Sequence, residues 1–257
     1  MTPTPTYPDL DGASVFITGG GSGIGASLTE GFLRQGAKVA FVGRSDYADF
    51  VDEMEEATGA RPVFHQGDVT DTAALKAILD EVAGAQGPID VLVNNAANDM
   101  RFDIGEIGVE EWNSQLAINL SHQFHGAAHV ARSMASRGAR GRIVNFSSIV
   151  FQMGAGGLLP YETCKAGVLG LTRGLAREFG PAGIRVNAIA PGMVLTEKQL
   201  ETWIDPEDKA RHIGLQCLKD ELPPESMVGP TLFLASAASY PVTGQCLIAD
   251  GGVVFSS

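Results

Sequence analysis

The chain has 257 residues, 44% hydrophobic and 19% charged, with a formal net charge of −12, which fits one large α/β domain with a substantial core. The acidic balance leaves no broad basic field to draw in nucleic acid or an anionic membrane, and no apolar run approaches the roughly 20 residues of a transmembrane helix. Three scattered cysteines, Cys164, Cys217 and Cys246, have no metal-like pairing and read as reduced thiols of a cytoplasmic protein.

Residues 1–8, with Pro3, Pro5 and Pro8, lack the basic and apolar blocks of a signal peptide and read as a short surface arm. A first strand is expected at 14–18. It runs into Thr18-Gly19-Gly20-Gly21-Ser22-Gly23-Ile24-Gly25 and then into a helix over 23–35. That junction suits a dinucleotide. Gly19, Gly23 and Gly25 let the main chain approach a pyrophosphate, and the N–H groups of the helix start point at the anion. A second strand, 38–42, should end near the ribose, as the pattern requires. Where an NAD reader carries a carboxylate for the ribose 2′-OH, this chain has Gly43, followed by Arg44. A guanidinium suits a 2′-phosphate and favours NADP. Asp46 is close enough to compete, the loop carries Ser22 rather than a second basic residue, and use of NAD stays open.

Further helices are expected at 46–58, 71–85, 110–137, 161–180 and 224–237, with strands at 61–65, 89–93, 142–146, 185–189 and 245–248. Continuous apolar strands alternating with helices imply a doubly wound parallel sheet covered on both faces, in a single domain. The stretch 191–224 breaks this rhythm with short helical patches and no strand, as a lid or substrate loop would. His122, His125 and His129 share the helix 110–137, but no neighbouring carboxylate or cysteine completes a ligand set. They read as a packed or interfacial patch, and no metal is expected.

The chemistry concentrates at four places. Tyr161 and Lys165 stand four apart at a helix start and project from one face. An ammonium favours the phenolate, so Lys165 should lower the tyrosine pKa and fit Tyr161 for proton transfer. Ser148, just beyond the strand 142–146, could hold a reacting oxygen. Asn94-Asn95-Ala96 closes the strand 89–93, and the Asn119 side-chain amide could anchor a water that connects Lys165 to solvent.

With Thr18-Gly19, Asp68-Val69, Asn94-Asn95-Ala96, Asn119, Ser148, Tyr161/Lys165, Pro191-Gly192 and Asp250-Gly251-Gly252, the chain resembles a short-chain dehydrogenase/reductase from end to end. The resemblance implies a Rossmann-type sheet and NAD or NADP as cofactor. It implies Tyr161 as general acid/base, Ser148 as donor to the substrate oxygen, Lys165 as ribose anchor and Asn119 as the end of a proton relay. Asp68 and Val69 would flank the adenine. Ile24, Asn95 and Ala96 would line the cofactor groove, and Pro191, Gly192, Val194 and Thr196 would embrace the nicotinamide end. Ala97 departs from the family's usual glycine. Relatives pair the helices 110–137 and 161–180, here carrying Trp112, Leu116, Leu120, Phe124, Val168, Leu171 and Leu175, so a homotetramer is expected.

A cluster of polar residues near this site, Asn98, Asp99, Arg101, Gln152, Glu162 and Gln199, suits a hydroxyl-rich ligand better than a steroid or acyl chain. Trp203 could offer a flat surface to a sugar ring. The runs Asn94–Arg101 and 161–167, with Gln216-Cys217-Leu218-Lys219, are similar to bacterial sugar 1-dehydrogenases of the xylose and arabinose type. The expectation is oxidation of the anomeric C1-OH of an aldose (pentose or hexose) to a lactone. A ketone or 3-oxoacyl reductase on the same fold is the alternative.

Overall fold

In the computed structural model, which describes residues 5–255, seven strands form one sheet. They are β1 (Ser14–Thr18), β2 (Lys38–Gly43), β3 (Val63–Gln66), β4 (Val91–Asn94), β5 (Arg142–Phe146), β6 (Arg185–Pro191) and β7 (Cys246–Ala249). They pair in parallel in the order β3-β2-β1-β4-β5-β6-β7. The order reverses between β1 and β4, where Thr18 stands level with Asn94. An open parallel sheet binds its ligand at the crevice outside such a switch point.

Alternation along each strand sends neighbouring side chains to opposite faces. Val15, Ile17, Phe41, Val93 and Phe146 enter one core with helices α1 (Gly23–Leu33) and α10 (Val228–Ala235). Phe16, Val42, Leu92, Ile143 and Val186 enter the other. That face is covered by α3 (Thr72–Gln86), α5 (His122–Ser136) and α7 (Leu159–Phe179). The expected α/β, Rossmann-type, doubly wound sheet is therefore the architecture observed, with α2 (Ala48–Thr58) completing the first core.

Several expected boundaries change. The strands at 61–65, 89–93 and 245–248 each begin one or two residues later, and β6 runs on to Pro191 because Ala190 and Pro191 still pair with Ile248 and Ala249. The helix expected at 110–137 is broken. It consists of α4 (Val109–Leu116), a π turn over Ala117–Ser121, and α5. The helix expected at 224–237 opens instead as a 3₁₀ turn, Pro224–Met227, after the stiff Pro223-Pro224 pair. A four-residue α6 (Val150–Met153) follows Ser148.

The 191–224 excursion holds α8 (Glu197–Thr202) and α9 (Pro206–Leu215), with a single bridge between Val194 and Leu222. Thr196 caps α8 by accepting from the Gln199 N–H at 3.3 Å, and Asp205 caps α9 by accepting from the Asp208 N–H at 2.8 Å. Pro206 at the first position of α9 suits a helix start. The expected N-terminal arm is tied down from residue 5 onward. The Tyr7 N–H donates to Gln35 Oε1 at 2.8 Å, and Gln35 Nε2 donates to the Pro5 carbonyl at 3.1 Å. Residues 1–4 lie outside the described part. Among the described residues no helix is long and apolar enough to cross a membrane.

Candidate active site

The glycine loop follows β1. Gly19 adopts φ +69°, and a Cβ on Gly25 would fall 1.8 Å from the Gly19 carbonyl oxygen. Only a bare backbone closes this turn. Asn95 holds it from the neighbouring strand, its Nδ2 donating to the Thr18 and Gly19 carbonyls at 3.1 Å each. Thr18 Oγ1 in return accepts from the Asn95 and Ala96 N–H groups at 3.0 Å. Side chains at the end of β1 and just beyond β4 thus brace the cradle that the sequence pattern requires.

A cavity of about 530 Å³ opens over this loop. Gly19, Ser22, Gly23, Ile24, Gly25, Arg44, Val69, Asn95, Ala96, Tyr161 and Thr196 line it, all of them expected at the cofactor. Asp68 lies beside it. Burial works against ionisation of its carboxyl, but hydrogen bonds from the Thr70 N–H and hydroxyl, with Arg44 and His122 nearby, hold its pKa below the usual value. Ser22 is the N-cap residue of α1, yet its side chain makes no capping bond.

A second cavity of about 580 Å³ adjoins the first, and Ile24, Asn95, Ala97, Asp99, Tyr161, Thr196 and Gln199 border both. Ser148, Lys165, Pro191, Gly192, Val194, Arg101 and Trp203 belong to the second alone. Three of the polar residues expected near the substrate lie elsewhere. Gln152 is exposed on α6 and lines neither cavity, because the turn that follows Ser148 carries it outward. Asn98 also lies off both walls. Its backbone is held by Asn119 and its Oδ1 accepts from Lys198 Nζ at 3.1 Å. Glu162 lines neither cavity, and its Oε1 is buried without a partner among the described residues.

Tyr161, Ser148 and Lys165 converge as expected, but with altered electrostatics. Lys165 Nζ lies 5.3 Å from the Tyr161 ring centre and donates to the Phe146 carbonyl at 2.8 Å. The Tyr161 pKa is not lowered. Burial raises it most, Asp99 raises it further, and the Ser148 hydroxyl, hydrogen-bonded to the phenol, only partly offsets them. Burial likewise pushes the Lys165 ammonium down to about 8, against the opposing pull of Cys164 and Asp99. Desolvation, not the neighbouring ammonium, sets the direction of the phenol's shift.

Asn119 is also used differently from the expectation of a water anchor. Its Oδ1 accepts from the Asn98 N–H at 2.8 Å, and its Nδ2 donates to the Asn98 carbonyl at 2.9 Å and to Gln115 Oε1 at 3.0 Å. Both amide donors are taken, so the side chain acts as a strut for the loop after β4. Behind the site, Asn94 Nδ2 donates to Asn145 Oδ1 at 2.9 Å, and Asn145 Nδ2 donates to Thr172 Oγ1 at 3.0 Å. This buried thread joins β4, β5 and α7, the helix that carries Tyr161 and Lys165.

The excursion roofs the second cavity through polar contacts to the loop after β4. Gln199 Nε2 donates to Asp99 at 2.5 Å, Lys198 Nζ lies 3.7 Å from Asp99, and the Arg101 guanidinium stands 4.9 Å from the centre of the Trp203 ring. Arg101 therefore covers one face of the ring expected to meet a sugar. Sequence reasoning missed Asp208, Arg211 and His212 on α9, which also line this cavity. Their helix follows α7 only after β6 and α8, and no local pattern marks them. Trp203 Nε1 and His212 Nε2 are buried with no partner among the described residues. The three expected patch histidines separate. His122 is buried with its pKa lowered to about 3, chiefly by desolvation and then by Lys165, His125 packs on Phe124, and His129 Nε2 lies 2.7 Å from Asp80.

A family model described as enoyl-(acyl carrier protein) reductase matches residues 19–254. A protein of Rhizobium meliloti named as a probable galactose dehydrogenase, GalD, is 45% identical over 253 residues, covering 98% of each chain. The D-xylose 1-dehydrogenase of Caulobacter vibrioides is 43% identical, covering 96% of this chain and 97% of that one. Among solved structures, one from Beutenbergia cavernae, described as an NAD(P)-dependent gluconate 5-dehydrogenase with NADP bound at low occupancy, superposes with a TM-score of 0.89. It is 35% identical and covers 95% of this chain and 97% of that one. The chain belongs to the short-chain dehydrogenase/reductase family, whose members use NAD(P), and is an enzyme of that family. The bare glycine cradle, and a Ser22 hydroxyl that caps no helix N–H among the described residues, fit such a cofactor.

Proposed function

We propose that this enzyme oxidises the anomeric C1-OH of an aldose, a pentose or hexose, to a lactone, with NADP preferred and NAD possible. The observation that carries the reading is the polar wall set against the catalytic pair. Asp99, Gln199, Arg101 and Trp203 share a cavity with Tyr161 and Ser148, and two buried nitrogens, Trp203 Nε1 and His212 Nε2, have no partner among the described residues. Buried polar groups without partners are costly, and a hydroxylated ligand would satisfy them. The names of the galactose and xylose dehydrogenases that this chain resembles point the same way.

When bound, the oxidised nicotinamide supplies a hydride acceptor and a positive charge. The Ser148 hydroxyl holds the sugar's reacting oxygen by a hydrogen bond. Tyr161 Oη, as phenolate, takes the C1 hydroxyl proton while the C1 hydride departs, which leaves the lactone carbonyl. Because burial and Asp99 favour the protonated phenol, its ionisation requires positive charge nearby, to which the Lys165 ammonium would contribute. Lys165 would also hold the cofactor's ribose. Asn119 fixes the loop that presents Asp99. We place the enzyme in the cytoplasm as a homotetramer, associated through α4, α5 and α7, where Val109, Phe124 and Leu159 are exposed.

The test is a panel of pentoses and hexoses with each cofactor, following nicotinamide reduction and lactone release. Turnover of aldoses with lactone as product is the expected result. Inactivity on every aldose, with turnover of ketones or 3-oxoacyl substrates, would establish the reductase reading instead. Light scattering at the 26.9 kDa chain mass alone would exclude the tetramer.

A further inference from the structure

The Tyr47 ring occupies a slot whose two walls are glycine. A Cβ on Gly21 would stand 2.5 Å from Tyr47 Cγ and Cδ1, and a Cβ on Gly43 would stand 2.5 Å from Cε2. Neither glycine has a positive φ, so what demands glycine there is space and not backbone conformation. The ring cannot easily step aside. It meets Phe41 and Phe64 edge-on, with centroids 6.0 Å and 5.5 Å away, and those two rings stack at 5.2 Å. Its hydroxyl emerges at the cofactor cavity 3.4 Å from the uncapped Ser22 Oγ. Arg44 lines the same mouth, its carbonyl fixed by Gln66 Nε2 at 2.9 Å.

Position 43 is where a dinucleotide-binding chain carries the carboxylate that reads a ribose 2′-OH. We infer that Tyr47 determines cofactor choice in two ways: its ring bars a carboxylate from position 43, and its hydroxyl, with Ser22 and Arg44, receives the adenosine 2′-phosphate. The inference rests on the NADP reading above and adds the residue that enforces it. The two positions are coupled by volume. Installing an acidic reader at 43 requires that the ring at 47 be removed first.

Calorimetric titration with adenosine 2′,5′-bisphosphate and adenosine 5′-monophosphate reads the site without nicotinamide and without turnover. The wild-type chain should bind the bisphosphate at least about tenfold more tightly, as a charge-assisted contact allows. Tyr47→Phe should weaken the bisphosphate about three- to tenfold and leave the monophosphate unchanged. Gly43→Asp alone should gain no affinity for the monophosphate, while Gly43→Asp with Tyr47→Ser should gain about tenfold. Thermal unfolding gives a second, ligand-free reading. Gly43→Ala should lower Tm by at least about 3 °C, and Tyr47→Ser in the same chain should recover part of that loss.

A monophosphate gain from Gly43→Asp alone equal to that of the pair, an unchanged Tm in Gly43→Ala, or a Tyr47→Phe chain that still discriminates fully would overturn the inference while leaving NADP preference intact. Equal binding of both nucleotides by the wild-type chain would overturn the preference itself.

Discussion

Asp99 and Tyr161 border the seam where the two cavities meet, and the carboxylate works with burial, the stronger influence, to hold the proton on the phenol. Exchanging Asp99 for Asn removes one of the two. The pH at which kcat/KM for oxidation reaches half its plateau should then fall, because the phenolate forms more readily. The position of the limb reports the phenol, whereas its height also carries any loss of substrate contacts. An unmoved limb would show that Asp99 acts on substrate alone.

Tyr161→Phe keeps the ring and its packing but removes the transferable proton. Turnover should fall at least about 100-fold, the range of general acid–base assistance, with little change in Tm. A variant retaining most of its rate under steady-state assay would place the proton transfer elsewhere.

Gly25→Ala and Gly84→Ala form a matched pair. The first drives a methyl to 1.8 Å from the Gly19 carbonyl oxygen, and the second enters open space on α3. NADPH binding, followed by fluorescence, should weaken more than about tenfold in the first, because the loop must open. Binding by the second should be unaltered, and its Tm should rise by about 2 °C, since alanine is the better helix former.

His122 is buried and its folded pKa lies near 3, against an ordinary value of 6.5. Between these values the unfolded chain binds a proton that the folded chain refuses, so this residue's contribution to stability is lost as pH falls through that window. The loss is on the order of 2 kcal/mol between pH 6.5 and 5. Urea titrations should show a smaller drop over this interval in His122→Asn. Equal drops in the two proteins would mean that the imidazole titrates normally.

The elements that sequence reasoning located best are those with strong local rules. Continuous apolar runs give β1 and β5 to the residue, and the glycine spacing places the cofactor loop. The π turn around Asn119 has no such mark. Ala-Ile-Asn-Leu-Ser suits an ordinary helix, and only the tertiary bond from Asn119 to Asn98 reveals the deviation. Tyr161 and Lys165 are legible by spacing, yet the direction of the phenol's shift is not. It depends on burial and on Asp99, some sixty residues away in the chain. Gln152 fails for a related reason, since proximity to Ser148 in sequence says nothing of which way a four-residue helix turns its side chains. Tyr47 carries no mark in the sequence because aromatic residues before helices are commonplace, and only the missing Cβ atoms of Gly21 and Gly43 reveal its slot.

The polar thread from Asn94 through Asn145 to Thr172 ties the helix that carries Tyr161 and Lys165 to two central strands. Each amide in it is oriented by its neighbour within a sealed interior, where a broken link has no water to replace it. The ordering entropy of that helix is therefore surrendered during folding, and arriving ligands need not supply it. Adaptation is left to the roof formed by the excursion, so substrate range in this enzyme can diverge through that segment while the reacting geometry beneath stays unchanged.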